Sequence, residues 1–191
     1  LELSAKTDAD PGDRSPRNAL LTRAIVDRRA EREIAVGIQS LTSIEDATST
    51  AVREQYEANP YPRWLSVEQE KSPLSLASRV AKRFPGLATD SLDLVSPQVL
   101  VAGCGTGRHA IGTAARHAGS RVLAIDLSRT SLAFAKRQAE KLGQGNVSFA
   151  QGDILELGTL RDRFDLIESS GVLHHMANPL AGWGALRALM K

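Results

Sequence analysis

Four short apolar runs alternate with longer polar or amphipathic stretches along the second half of the chain. They cover residues 99–102, 121–125, 147–151 and 164–167. Runs of this length, bounded by glycine and polar residues, are typical of buried strands, and the stretches between them are long enough for helices. Strands that alternate with helices predict an α/β fold, in which helices cover a parallel sheet.

Local start and stop signals delimit the helices of this half. Ser128 before a periodic stretch and Gly143 after it predict a helix over residues 128–142. A second helix is expected to open at Thr106, directly after the first strand. A third is expected over residues 179–191, with a proline at its first position.

Upstream of the first strand the pattern is helical. Residues 1–40 are expected to form a flexible leader followed by a charged helix over 19–40. Residues 41–97 predict a helical cap: Thr42 and Glu45 form a capping-box pattern for a helix ending near Ala58, and Ser72 with Pro73 would start another. Its apolar face would consist of Leu74, Ala77, Val80, Ala81 and Phe84. Residues 98–191 then form the α/β domain.

A glycine-rich turn follows the first strand at Gly103, Gly105 and Gly107. Without side chains there, a ligand can approach the backbone, and the helix start beyond offers N–H groups to an anion. The dinucleotide pattern requires glycine at position 108, where this chain has Arg108, and a P-loop requires a lysine that is absent. A nicotinamide oxidoreductase therefore remains only a disfavoured alternative.

Acidic residues follow the next two strands. Asp126 ends the second strand at the distance expected of a ribose-binding acid, where it can accept from both hydroxyls. Asp153 follows the third strand and can accept from an adenine amino group. Because the carboxyl ends of parallel strands meet at one edge, both acids are expected beside the glycine turn.

The segments VLVAGCGTG, VLAIDLS, FAQGDILEL and FDLIESSGVLHHMANP resemble, in order, the motifs of class I S-adenosylmethionine-dependent methyltransferases. The resemblance implies a Rossmann-like, three-layer fold with S-adenosylmethionine as cofactor and S-adenosylhomocysteine as product. One departure is Ala102, where the family often has an acid that contacts the ligand's amino group through water. The cofactor site implied by these motifs comprises Gly103, Cys104, Gly105, Thr106, Gly107, Asp126, Leu127, Asp153, Ile154 and Ser169.

A second resemblance covers residues 55–65, QYEANPYPRWL. This segment is similar to the Y-x-x-N-P-Y-P-R-W signature ahead of the catalytic domain in bacterial methyltransferases linked to tetratricopeptide repeats. Two prolines stiffen it, so it can lie over a cleft as a lid, with Tyr56, Tyr61 or Arg63 near the cofactor carboxylate. Equally, its aromatic residues can serve only to pack the N-terminal helices against the sheet.

The site of methylation is not readable from these residues, although one class is disfavoured. An NPPY loop that grips an amide or adenine should follow the fourth strand, whereas here Glu168, Ser169 and Ser170 follow it. His174 and His175 lie close beyond and are weak candidates for a catalytic base. Adjacent histidines without a third ligand disfavour a metal site. His109 and His117 are expected on a helix face, and Cys104 as a small packing residue.

Composition limits the remaining options. Hydrophobic residues make up 42% of the 191 positions and no apolar run approaches the ~20 residues of a membrane span. The net charge is +2 and the basic residues are scattered, which disfavours nucleic acid as a partner. The single cysteine cannot form an internal disulfide, which fits a cytoplasmic protein.

The expected function is methyl transfer to an unidentified small molecule or protein, and the alternative is a non-catalytic cofactor-binding or interaction module. A class I sheet normally has seven strands, and this chain ends after the helix that follows the fourth. The domain is therefore expected to be incomplete at its C-terminal side. The apolar edge strand with Leu166 and Ile167 should be covered by a further part of the protein or by a second copy.

Overall fold

The computed structural model describes residues 15–16, 25–67, 70, 72–92 and 94–191. Its described part contains one sheet of parallel strands, namely β1 (Gln98–Ala102), β2 (Arg121–Asp126), β3 (Val147–Gln151) and β4 (Leu166–Glu168). Their order across the sheet is β3-β2-β1-β4. After β3 the chain crosses back and places β4 on the free side of β1, so the strand order reverses at β1. Ligands bind α/β sheets at the carboxyl ends of the strands beside such a reversal. The predicted α/β class is confirmed.

Helices pack on both faces of the sheet. They are α1 (Asp27–Val36), α2 (Ala47–Ala58), α3 (Leu76–Arg83), α4 (Arg108–Arg116), α5 (Arg129–Lys141) and α6 (Pro179–Arg187). Val99 and Val101 of β1 point into one core with α4 and α5. Leu100 and Ala102 point into the opposite core, which α6 and the short 3-10 helix Ile154–Thr159 cover. Both cores bury β1 completely, so its carboxyl end is a rigid support.

Some helix boundaries follow the sequence signals. Ser128 caps α5, its hydroxyl accepting from Ser131 N, and Gly143 follows with φ 66°. The predicted helix over 128–142 is confirmed. The predicted opening of α4 at Thr106 was wrong by two residues, because Gly107 is in the left-handed region and stands outside the helix. Helix α6 ends at Arg187 rather than continuing to the end of the chain.

Two predicted caps upstream were wrong. Asp46, rather than Thr42, caps α2, and its carboxylate accepts from Ser49 N. The Thr42 hydroxyl instead accepts a hydrogen bond from Asp153 N at 2.8 Å. Ser75, rather than Ser72, caps α3. The predicted apolar face of α3 fails as well, since Leu74 precedes the helix and Phe84 is 57% exposed.

Helix α1 is fastened to α5 by ion pairs. Arg137 of α5 donates a hydrogen bond to Glu31 at 2.7 Å and forms an ion pair with Asp27 at 2.8 Å. Glu31 is 3% exposed and Arg137 is 7% exposed, so the pairing is shielded from water. The charged helix predicted over 19–40 is present as Asp27–Val36. Residues 19–24 of that prediction lie outside the described part, as do residues 1–14 and 17–18 of the predicted leader.

Strand β4 forms one side of the sheet. Phe164, just before it, pairs with Met190 in a parallel bridge, with Phe164 N donating to Leu189 O at 2.9 Å. Leu166 and Ile167 are half-buried. Coverage of this edge by a further part of the protein or by a second copy stays a prediction. None of the helices in the described ranges is long and apolar enough to cross a membrane.

Candidate functional site

The glycine turn between β1 and α4 has three residues with positive φ: Gly103 at 72°, Gly105 at 53° and Gly107 at 82°. Their surroundings differ. A Cβ on Gly103 would lie 2.3 Å from Val172, and one on Gly107 would lie 2.4 Å from Ala135, whereas a Cβ on Gly105 meets nothing within 4 Å. Gly107 therefore allows α5 to pack closely, and Gly105 borders open space.

The N–H groups of this turn are mostly used within the protein. Gly103 N and Cys104 N donate to Ile125 O, Gly107 N donates to Cys104 O, and Gly105 N donates to Asp126. The N–H groups at the start of α4, which the sequence predicts for an anion, are not among these four, and their role stays a prediction. Hydrogen bonds fix the shape of the turn, so that glycine surfaces form the wall of a cavity.

That cavity lies at the carboxyl ends of the strands and has a volume of about 370 Å³. Ligand pockets for small molecules begin at roughly this size. The predicted residues that line it are Gly103, Cys104, Gly105, Thr106, Asp126, Leu127, Asp153, Ile154 and Tyr61. Gly107, Ser169 and Arg63 do not, so the structure brings most of the predicted site together and leaves these three outside the lining.

Asp126 is the last residue of β2, and its carboxylate binds the backbone of the glycine turn. Its carboxylate accepts from Gly105 N at 2.7 Å and from Ser128 N at 3.0 Å. Burial raises the pKa of this carboxyl group, and the backbone hydrogen bonds offset only part of the effect. Each carboxylate oxygen has a second lone pair, so the side chain can still accept hydroxyl hydrogens from the cavity.

Asp153 has an oxygen without a partner. The residue is 1% exposed, its Oδ1 accepts from Leu155 N at 3.0 Å, and its buried Oδ2 has no hydrogen-bond partner. A buried acceptor left unpaired costs about 1–3 kcal/mol, so such a group calls for a donor. Because Asp153 lines the cavity, an exocyclic amino group is a chemically suitable donor at this position.

The aromatic segment is attached directly to the glycine turn. Trp64 is 8% exposed and packs edge-on against Phe134 at 5.7 Å between ring centroids. Its indole N–H donates to Thr106 O, and the Thr106 hydroxyl donates to Pro62 O at 2.6 Å. Tyr61, in contrast, is 75% exposed and lines the cavity. The segment thus combines a packing residue with a cavity residue.

Arg63 does not reach the cavity, contrary to the expectation that it lies near a ligand carboxylate. Its Nη2 donates to both carboxylate oxygens of Glu31 at 2.8 Å, and its guanidinium lies 4.6 Å from the ring centre of Phe134. The guanidinium of Arg63 pairs with the buried carboxylate of Glu31 instead of facing the cavity. Arg63 therefore joins α1 and α5 through the same carboxylate that Arg137 binds.

Helix α2 forms the wall opposite the turn. Thr48, Ser49, Val52 and Tyr56 line the cavity from this helix. Glu57, one residue further, accepts from the backbone N–H groups of Arg129 at 2.7 Å and Thr130 at 3.1 Å. The carboxylate satisfies donors at the first turn of α5, which fixes α2 against the α/β domain. Sequence spacing gave no signal for this contact, which joins residues 72 positions apart.

The histidines are arranged differently from expectation. His175 lines the cavity and stacks on His174, with 4.1 Å between ring centroids, whereas His174 does not line it. His109 was expected to be only a helix-face residue, yet it lines the cavity and lies 3.0 Å from Glu168.

His117 directly follows α4, where burial lowers the pKa of its imidazole. Burial raises the pKa of the Cys104 thiol, in keeping with a packing role. The described residues contain no group of three acidic, histidine or cysteine side chains suited to a metal.

Residues 99–191 match the methyltransferase domain family. An uncharacterized protein from Synechococcus sp. is 28% identical over 145 residues, which cover 75% of this chain and 35% of that protein. A release factor glutamine methyltransferase from Aliivibrio fischeri is 31% identical over 111 residues, covering 58% of this chain and 39% of that enzyme. The matched chain thus spans little more than a third of the length of these relatives.

Solved structures give the same fold. Magnesium protoporphyrin IX methyltransferase from Synechocystis, solved with bound S-adenosylmethionine, is similar with a TM-score of 0.51 and 22% identity, covering 78% of this chain and 75% of that one. At this identity the likeness establishes the fold alone. Residues 99–191 thus match a methyltransferase domain in sequence and have the Rossmann-like fold of class I methyltransferases.

Proposed function

We propose that this methyltransferase domain binds S-adenosylmethionine in the cavity at the carboxyl ends of β1, β2 and β3 and directs its methyl group to an acceptor. One observation carries the proposal. Two acids, Asp126 and the half-unpaired Asp153, flank a cavity that a glycine turn leaves open at Gly105. The ribose hydroxyls and the adenine amino group of one nucleoside are donors of the kind that these two acceptors can bind.

The residues present fit this cofactor. Asp126 would accept from ribose, Asp153 Oδ2 from the adenine amino group, and Ile154 would contact the base. When bound, S-adenosylmethionine supplies a methyl group on a positively charged sulfur, which needs no protein nucleophile. The contribution of the protein is to hold the reacting atoms in line and exclude water, which is worth several kcal/mol of barrier. Tyr61 and Tyr56 supply cavity walls for this purpose.

The acceptor is a small molecule or a protein. One curated relative is a release factor glutamine methyltransferase, but the residues after β4 here are Glu168, Ser169 and Ser170, without an amide-gripping NPPY loop. An amide acceptor is thus disfavoured. The resemblance of residues 55–65 supports placement among the bacterial methyltransferases linked to tetratricopeptide repeats. A cytoplasmic location is part of the same proposal, supported by the single cysteine. A non-catalytic cofactor-binding module stays the alternative, and turnover separates the two.

Calorimetric titration tests the proposal. We expect S-adenosylmethionine and S-adenosylhomocysteine to bind and NAD not to bind. Asp153→Asn should weaken S-adenosylhomocysteine binding because the amide nitrogen no longer accepts the adenine amino hydrogen. The same variant should lose less for S-inosylhomocysteine, which carries a carbonyl at that position. Binding of NAD without S-adenosylhomocysteine would overturn the assignment.

Formation of S-adenosylhomocysteine from S-adenosylmethionine, measured over a panel of thiol, hydroxyl, amine and protein acceptors, tests catalysis. An acceptor-dependent product establishes an enzyme. Tight cofactor binding without product from any acceptor, in the full-length protein as well, would favour the binding-module alternative.

A further inference from the structure

The imidazole of His109 and the carboxylate of Glu168 form a pair that the cofactor-holding residues leave unused. His109 Nε2 lies 3.0 Å from Glu168 Oε2, with the two side chains 41% and 24% exposed. His109, in the first turn of α4, lines the cavity, and Glu168 lies at the carboxyl end of β4. The pair therefore joins the cavity surface to the sheet.

Glu168 is held from behind. The buried hydroxyl of Thr113 donates to the same Oε2 that His109 contacts, and Arg116 Nη2 donates to Thr113 Oγ1 at 2.9 Å. Burial alone would raise the pKa of Glu168, but the hydrogen bonds from His109 and Thr113 outweigh it and lower the pKa below its usual value. Glu168 is therefore an ionised acceptor near neutral pH.

An ionised carboxylate determines the tautomer of its histidine partner. It can only accept, so in a neutral imidazole the proton must lie on Nε2, and Nδ1 keeps its lone pair. A histidine held in one tautomer by a carboxylate is the usual arrangement of a base that takes a proton from a nucleophile. Charged or titratable residues that line the same cavity include Arg108, Asp126, Asp153 and His175, and Arg116 contacts Thr113 behind Glu168.

We propose that His109 Nδ1 accepts the proton released by the methyl acceptor, with Glu168 as the residue that positions the ring. This inference rests on the proposed methyl transfer and specifies its acceptor as a heteroatom that carries a proton, such as a hydroxyl, thiol or amine. The attacking lone pair forms the bond to the methyl carbon, and the electron pair of the breaking carbon–sulfur bond stays on sulfur. The proton of the acceptor passes to Nδ1, giving an imidazolium paired with Glu168.

Nitrogen NMR of the histidine-labelled chain tests the arrangement without any turnover. Wild type, Glu168→Gln and Glu168→Ala are compared at neutral pH with and without S-adenosylhomocysteine, and His109→Asn identifies the resonances. We expect the Nε2–H tautomer of His109 in wild type and in Glu168→Gln, whose amide oxygen still accepts. Glu168→Ala should show a mixture of tautomers. An Nδ1–H tautomer in wild type, or no change in Glu168→Ala, would overturn the proposal.

Kinetics give the second readout, with dithiothreitol, catechol and glycine as probes beside any acceptor found in the panel. His109→Asn should lower kcat about 10²–10⁴-fold while the Kd of S-adenosylhomocysteine stays within twofold. Glu168→Gln should lower kcat less than Glu168→Ala, and Glu140→Gln, an exposed carboxylate on α5, should leave it unchanged. Unchanged kcat in His109→Asn overturns the inference alone, whereas failure of wild type to bind S-adenosylhomocysteine overturns the proposed function. Where no probe is methylated, the tautomer result decides.

Discussion

The indole N–H of Trp64 donates a hydrogen bond to the backbone carbonyl of Thr106 across 2.9 Å. This contact ties the aromatic segment to the turn that forms the cavity wall. The two interpretations of the segment therefore apply to different residues, Trp64 being buried as an anchor while Tyr61 stays exposed at the cavity. They can be separated by mutation.

Trp64→Phe should reduce the free energy of unfolding by about 1–3 kcal/mol. Phenylalanine keeps an aromatic ring at this position, but the carbonyl of the buried Thr106 loses the indole N–H donor. Urea denaturation measures the loss. Trp183→Phe is the matched control, because Trp183 is 62% exposed, and its stability should remain within about 0.5 kcal/mol of wild type. Equal stability of both variants would show that the hydrogen bond to Thr106 contributes nothing.

Tyr61→Ala should leave stability nearly unchanged and increase the dissociation rate of S-adenosylhomocysteine, because a residue that closes over a docked ligand acts mainly on its release. Stopped-flow displacement measures that rate. Arg63→Ala should give the opposite result: lower stability, because Glu31 loses its bidentate partner, with little effect on dissociation. A dissociation rate unaffected by Tyr61→Ala would leave the segment with packing alone.

Gly105→Ala should yield a folded protein that binds S-adenosylhomocysteine poorly. The added Cβ meets no protein atom within 4 Å, so the methyl group occupies the space proposed for the ligand. An alanine with positive φ costs only about 1–2 kcal/mol of stability, so the variant should still fold. Gly107→Ala should instead destabilise the fold more severely, because its Cβ collides with Ala135. Calorimetry for binding and thermal melting for stability distinguish the two. Normal binding by a folded Gly105→Ala protein would locate the ligand elsewhere.

Glu168 should contribute stability only above acidic pH. Its folded pKa is lowered from the ordinary 4.5, so the unfolded chain takes up the proton first as the pH falls. The stabilisation is fully present above that value and is lost as the pH falls through the folded pKa. The stability difference between wild type and Glu168→Gln should therefore be greatest near neutrality and shrink in acid, as measured by urea denaturation across pH. A difference independent of pH would show that the charge of Glu168 contributes nothing.

The sequence predicted helix ends correctly where the stabilising contact is made between residues close together in the chain. Ser128 and Gly143 delimit α5 because a cap and a left-handed turn act within a few residues. The prediction of Ser72 as a cap was wrong because a second serine, Ser75, lies three residues later and caps α3 instead. The apolar runs likewise predicted the strands, most clearly β1, which has four buried residues in succession.

Contacts across the chain were not predictable from spacing. Arg63 appeared available to a ligand because its partner Glu31 lies 32 residues upstream on another helix. His109 appeared to be a surface residue of α4 because the carboxylate that orients it ends a strand 59 positions later, as the numbers 109 and 168 show. In both cases the decisive quantity is an electrostatic partner, and only the folded arrangement identifies it.

The carboxylate of Glu57 at the start of α5 also has a consequence for discrimination between nucleotides. The first turn of a helix after the second strand is where an additional phosphate on a ribose could be received, and here an internal anion already occupies its N–H groups. The charge of Glu57 also acts on Asp126, so the two carboxylates together repel any further negative charge near the end of β2. Under the proposed function, Glu57 thus occupies the donors that a ribose phosphate would need, and the site would favour a sugar without a phosphate.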